Sequence, residues 1–326
     1  MQIQFIKGIL YCLIFAIPAY FLGQTYPIIG GPVFGILLGL IFAGIKRPLS
    51  TEAGITFTGK KILQYSIILL GFEMNLFNVL AIGSQSFSVM IFTLITAFGV
   101  AFFAGKLLKL DTNTTTLIGA GTAICGGSAI AAVAPVIDAS DKDIAFSIST
   151  IFLFNVIAVF LFPFLGHMFG LSDTGFGMWA GTAINDTSSV VAAGYCYSTA
   201  AGSYATIVKL TRALMIVPVC LFFAFLTAHK KDKKGTFNFA KVFPLFILWF
   251  VVASVINTTG ILPAALSHAL GNAGKFCIIL AMSAIGLHTN IVALIRNGLR
   301  PIILGLLCWI SVATVSLLVQ HIIGLI

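Results

Sequence analysis

Long uninterrupted apolar runs alternate with short polar stretches along the chain. At the roughly 20 residues needed to cross a bilayer, these runs predict about eleven helical spans. They lie near 5–23, 28–45, 61–81, 86–107, 115–137, 143–166, 176–198, 203–228, 242–258, 273–294 and 301–323. The runs do not follow the apolar–polar alternation of membrane barrel strands. Polar residues are confined mainly to connectors, which predicts one transmembrane domain over 1–326. It would have a core at roughly 61–228, a scaffold from the remaining helices and one long polar connector at 229–241. The first run is followed by many more and by no small-residue cleavage site, so a spanning helix is expected there rather than a cleaved leader.

Composition supports this class. Hydrophobic residues make up 59% of the chain and charged residues 8%, whereas a water-facing domain carries about 25% charged residues. The net charge of +9 does not indicate a nucleic-acid partner, because the basic residues fall in clusters between apolar runs. These clusters are Lys46, Arg47, Lys60 and Lys61; Lys106 and Lys109; Lys230 to Lys241; and Arg296 and Arg300. Eleven spans with a cytoplasmic N-terminus and a periplasmic C-terminus place every cluster on the cytoplasmic side, and put Asp138, Asp141 and Asp143 outside. The six cysteines lack metal-type spacing, and neither metal nor cofactor is expected.

Two internal similarities suggest a repeated architecture. Ala120-Gly121-Thr122-Ala123-Ile124, followed by Ser128, recurs about sixty residues later as Ala180-Gly181-Thr182-Ala183-Ile184, followed by Ser188. With eleven full crossings these two spans run the same way. More weakly, Gly59-Lys60, Gly71 and Asn75 recur in register as Gly274-Lys275, Gly286 and Asn290, in spans of opposite direction. That is the relation found in inverted-repeat transporters.

The residues after each strong repeat are poor helix formers: Cys125-Gly126-Gly127-Ser128 in one, Asn185-Asp186-Thr187-Ser188-Ser189 in the other. Glycine costs about 1 kcal/mol relative to alanine within a helix, and Ser, Thr, Asn and Asp offer the backbone competing hydrogen bonds. Both helices are therefore expected to break near the bilayer centre, where freed backbone groups must line a cavity or be packed in protein. Close helix packing through small residues is the simpler reading of the glycines, but it does not account for Asn185 and Asp186.

Glu73 and Asp186 are the two acids inside predicted spans. A carboxylate at the bilayer centre costs about 2.5–3.5 kcal/mol, so Asp186 is the first candidate for a proton- or ion-coupling group. Glu73 could equally be interfacial, or it could pair with His288, its counterpart in the weaker repeat. Lys209 and Arg212 share a helix face. They could hold an anion, neutralise Asp186 or extend to the interface.

At Gly121–Ala132 and Trp179–Ala193 the chain resembles the YeiH-type family of proposed sulfate exporters, over nearly its whole length. The resemblance implies a bacterial inner-membrane protein of the cation:proton antiporter and anion transporter superfamily. It also implies a core of crossed broken helices beside a scaffold, with a homodimer formed through the scaffold helices. The expected function is secondary transport of a small inorganic or organic anion, sulfate- or sulfite-like, coupled to a proton or Na+. The alternatives are a sodium/proton antiporter using Asn185-Asp186 and, from another class, an intramembrane enzyme.

Overall fold

The computed structural model describes residues 2–26, 30–45, 47–231, 245–289 and 298–326. The basic connector expected at 229–241 falls past Lys231 outside these residues, as do Lys46, Asn290 and Arg296. Among the described residues the regular structure is helical, and six helices are long and apolar enough to cross a membrane.

The chain opens with α1 (Gln2–Thr25) and α2 (Gly31–Phe42). Next, α3 (Leu49–Phe57) passes through a π-helical turn, Thr58–Ile62, into α4 (Leu63–Gly71). The predicted span at 61–81 is thus corrected. The chain turns at Phe72–Asn75, where Asn75 accepts the Phe77 N–H at 2.8 Å and starts the 32-residue α5 (Leu76–Leu107). A polar residue that caps a helix overrides the apolar run across it.

The middle of the chain comprises α6 (Thr112–Ala123), α7 (Gly127–Val133), α8 (Asp141–Met168), α9 (Asp173–Ala183), α10 (Thr187–Tyr197), α11 (Thr199–Ala213) and α12 (Ile216–Lys231). It closes with α13 (Leu245–Thr258), α14 (Ala264–His288) and α15 (Leu299–Ile322).

Helix directions follow from side-chain neighbours. Thr114 donates to Asp143 at 2.6 Å, and a Cβ on Gly121 would meet Ile151, so α8 runs parallel to α6. The connector after α7 has therefore returned to the end of the molecule where α6 began. Lys109, Asp111, Asp138, Ser140 and Arg300 line one cavity of about 860 Å³ at that end. Segment 115–137 is accordingly a hairpin rather than a crossing span, and Asp138 and Asp143 sit with Lys109 rather than opposite it.

Segment 176–198 is corrected in the same way. Phe176 and Tyr197 stack at 3.9 Å, the Tyr197 hydroxyl donates to the Leu171 carbonyl, and Ser198 donates to Asp173 at 2.6 Å. Both ends of α9–α10 thus lie at the far end of α8. The two hairpins enter from opposite ends, so the two Gly-Thr-Ala-Ile segments run in opposite directions, not the same one.

α1, α2, α3, α4, α13 and α14 pack on one another, while α5 and α15 pack together and α15 lies against α6, α8 and α9. Close approach in the first group uses glycine: a Cβ on Gly39 would lie 2.5 Å from the Ser283 carbonyl, and one on Gly8 2.4 Å from that of Thr51. Removing side chains lets backbones touch, a common basis of helix association in lipid.

Candidate functional site

The tips of the two hairpins meet inside the molecule. Helix α6 ends at Ala123, and Gly126 then adopts φ +70° with no side-chain cap on α7. Helix α9 ends at Ala183, and Asp186 caps α10, accepting the Ser188 N–H at 3.0 Å and the Ser188 hydroxyl. A Cβ on Gly126 would lie 3.2 Å from the Asp186 Cβ. Glycine supplies both the left-handed backbone and the room for this contact.

Each tip combines a helix C-terminus, which carries partial negative charge, with a helix N-terminus, which carries partial positive charge. The C-termini are served by α11. Lys209 Nζ donates to Ile124 O at 2.8 Å and to Ile184 O at 2.9 Å. Arg212 donates through Nε to Ala123 O at 2.7 Å and through Nη2 to Thr122 O at 2.6 Å. Both side chains are 0% exposed. In an apolar surround, carbonyls freed by a helix break would otherwise be unpaired, so these cations neither extend to an interface nor pair with Asp186 through a hydrogen bond; they close the two breaks.

The N-terminal side carries the polar residues singled out from the sequence. Ser188 and Ser189 are buried, Asp186 and Thr187 are half-buried, and Ser128 is exposed on the first turn of α7. Cys125 and Gly126 are buried and Gly127 is half-buried against Phe152. Asn185 is 1% exposed, and among the described residues neither its Oδ1 nor its Nδ2 has a hydrogen-bond partner. Sequence reading missed Asn155, which is 3% exposed on α8 and whose Oδ1 accepts the Asp186 N–H at 3.0 Å. Its signal was an isolated carboxamide in an apolar helix, a residue type that hydrogen-bonds across helices in lipid.

Glu73 and His288 do not meet, which corrects the pairing drawn from the weaker repeat. Glu73 lies against Gly271 and pairs with Lys275 at 3.1 Å and His268 at 3.3 Å. His288, at the opposite end of α14, pairs with Glu52 at 3.5 Å and contacts Thr56 at 3.0 Å. Neither reaches the hairpin junction. The six cysteines are unbridged, and among the described residues no cluster of His, Cys, Asp or Glu is arranged to hold a metal ion.

The architecture is that of a polytopic α-helical membrane protein with two opposed hairpins whose tips share a buried cationic brace. The chain belongs to the family described as Conserved hypothetical protein 698, which matches residues 7–305. Proteins named UPF0324 membrane protein resemble it over almost their full length. The one from Streptococcus mutans is 48% identical over 100% of this chain and 99% of its own. Those from Clostridium tetani and Fusobacterium nucleatum are 45% and 43% identical, over 97% and 98% of both chains respectively.

Proposed function

We propose that the protein is a secondary transporter of a small anion, with its binding site at the meeting point of the two hairpin tips. The observation that carries this reading is Lys209 bridging Ile124 O and Ile184 O. Two interrupted helices entering from opposite ends and braced at the membrane centre form a device for exposing one site to either side. Packing alone would have been satisfied by continuous helices.

Internal symmetry supports alternating access. Matching Ile124 with Ile184 also matches Gly126 with Asp186 and Ser128 with Ser188, and the direction reversal between the hairpins makes this an inverted match. In the weaker repeat, Gly59 abuts Ile285 and Gly274 abuts Leu70. Pairing Gly59 with Gly274 and Gly71 with Gly286 converts the first contact into the second. The same operation carries the Thr56–His288 contact onto Gly271–Glu73. Each similarity thus relates segments of opposite direction, one from 120 to 180 and the other from 59 to 274, with hairpins where two crossings were expected.

In this reading the scaffold is α1–α4, α13 and α14, and the core is α5–α12 with α15. The core moves against the scaffold. The end holding Lys106, Lys109, Lys142 and Arg300 faces the cytoplasm, by the excess of basic residues there. Asp186 carries the coupling proton or cation, since its charge caps α10 at the N-terminus an anion would also approach. A sulfate- or sulfite-like oxyanion fits the donors available.

Proteoliposomes test the reading. Saturable flux of sulfite or sulfate supports it, whereas sodium-driven proton movement that needs no anion would replace it with a sodium/proton antiporter centred on Asn185-Asp186.

A further inference from the structure

Besides the Thr122 hydroxyl, three polar side chains at the hairpin junction are buried with hydrogen-bonding capacity unused among the described residues: Asn155 at Nδ2, Asn185 at both amide atoms and Arg212 at Nη1. They are 3%, 1% and 0% exposed respectively. Buried polar groups are nearly always paired, so an orphan at a functional junction calls for an occupant.

The orientation of Asn155 decides which occupant. Its Oδ1 is committed to the Asp186 N–H at 3.0 Å, which leaves the NH2 end as the free one. The free Arg212 nitrogen is likewise a donor with no acceptor capacity. Only the Asn185 carboxamide can present either end. Two obligate donors and one adaptable group suit an acceptor-rich ligand and are the wrong polarity for a bare metal cation, which needs oxygen ligands.

Position supports a common site. Asn155 lies one helical turn beyond Ile151, the residue against Gly121, and Phe152 lies against Gly127, so this part of α8 is level with the first hairpin tip. Asn155 also touches the second tip through Asp186.

We propose that Asn155 and Asn185 form the specificity-determining part of the site, taking a small oxyanion through their carboxamide N–H groups, with Arg212 supplying the attracting charge. This rests on the transport reading and assigns its ligand chemistry.

The test uses the full chain, purified in detergent, with sodium nitrate and sodium hydrogensulfite as probes and sodium gluconate as the control for the cation. Thermal stabilisation is followed against concentration. Asn155→Asp keeps an oxygen for the Asp186 N–H but replaces the NH2 with an acceptor. Asn185→Asp replaces the free NH2 with an acceptor at the second position and serves if the first variant does not fold. Gel filtration and the ligand-free melting temperature establish folding.

The proposal expects the probe anions to stabilise the wild type. In either variant the half-saturating concentration should rise by about tenfold or more, from the loss of one hydrogen bond to a charged ligand together with repulsion by the new carboxylate. Variants that saturate like the wild type overturn the assignment of Asn155 and Asn185, while anion flux in proteoliposomes would leave the transport reading standing. No stabilisation of the wild type by either anion beyond that of sodium gluconate at equal sodium overturns this inference, and absence of sulfite or sulfate flux in proteoliposomes overturns the anion reading with it.

Discussion

The ammonium group of Lys209 donates to the carbonyl of Ile184 at 2.9 Å, and the same nitrogen reaches Ile124 O at 2.8 Å. One side chain thus closes both helix breaks. Replacing it leaves two buried carbonyls without a donor, each lost bond to a charged group being worth about 1.5–3 kcal/mol. Lys209→Met is expected to lower the melting temperature of the detergent-solubilised protein substantially and to reduce the folded yield. Lys209→Arg should rescue only partly, because the planar guanidinium does not reproduce a point donor shared by two carbonyls. An unchanged melting temperature for Lys209→Met would show that the brace is dispensable.

Asp186 separates structure from coupling more cleanly. Its carboxylate caps α10 by accepting the Ser188 N–H, and asparagine caps a helix about as well as aspartate. Asp186→Asn should therefore fold with a stability change below about 1 kcal/mol while coupled transport is lost. A variant with both the wild-type rate and the wild-type pH profile would remove Asp186 from the coupling role.

Gly126 makes a different demand. Its φ is +70°, and a Cβ at this position would stand only 3.2 Å from the Asp186 Cβ, which leaves little room for a side chain. Gly126→Ala is expected to cost about 1–3 kcal/mol in backbone strain and to separate the tips. Flux should fall more than the melting temperature would suggest. Equal flux at equal protein density would argue that the tips need not touch.

The sequence revealed the class of the protein and the positions of both breaks, because apolar run length and the Gly-Gly and Asn-Asp interruptions are local signals. It did not reveal the direction the chain takes after each break. A hairpin of two short half-helices has the same apolar length as one crossing span, so 115–137 reads identically in both arrangements. The roles of Lys209 and Arg212 were hidden for a related reason: their acceptors are backbone carbonyls at the ends of α6 and α9, which leave no trace in side-chain pattern. The break at Phe72–Asn75 was obscured by the apolar residues around it, although Asn75 was the capping signal.

Direction can be tested by surface labelling. The hairpin arrangement puts Lys109 and Lys142 at one end of the molecule and Thr174 at the other, all three exposed. Eleven full crossings would instead put Lys109 and Lys142 on opposite faces of the membrane. Single substitutions Lys109→Cys, Lys142→Cys and Thr174→Cys, made in a chain whose six native cysteines have been replaced, would be treated with a membrane-impermeant maleimide in intact cells and again after permeabilisation. Positions 109 and 142 should react only after permeabilisation and position 174 before it, with the basic end facing inward. Labelling of position 142 in intact cells while 109 stays protected would restore the crossing span at 115–137 and dissolve the tip-to-tip junction on which the transport reading depends.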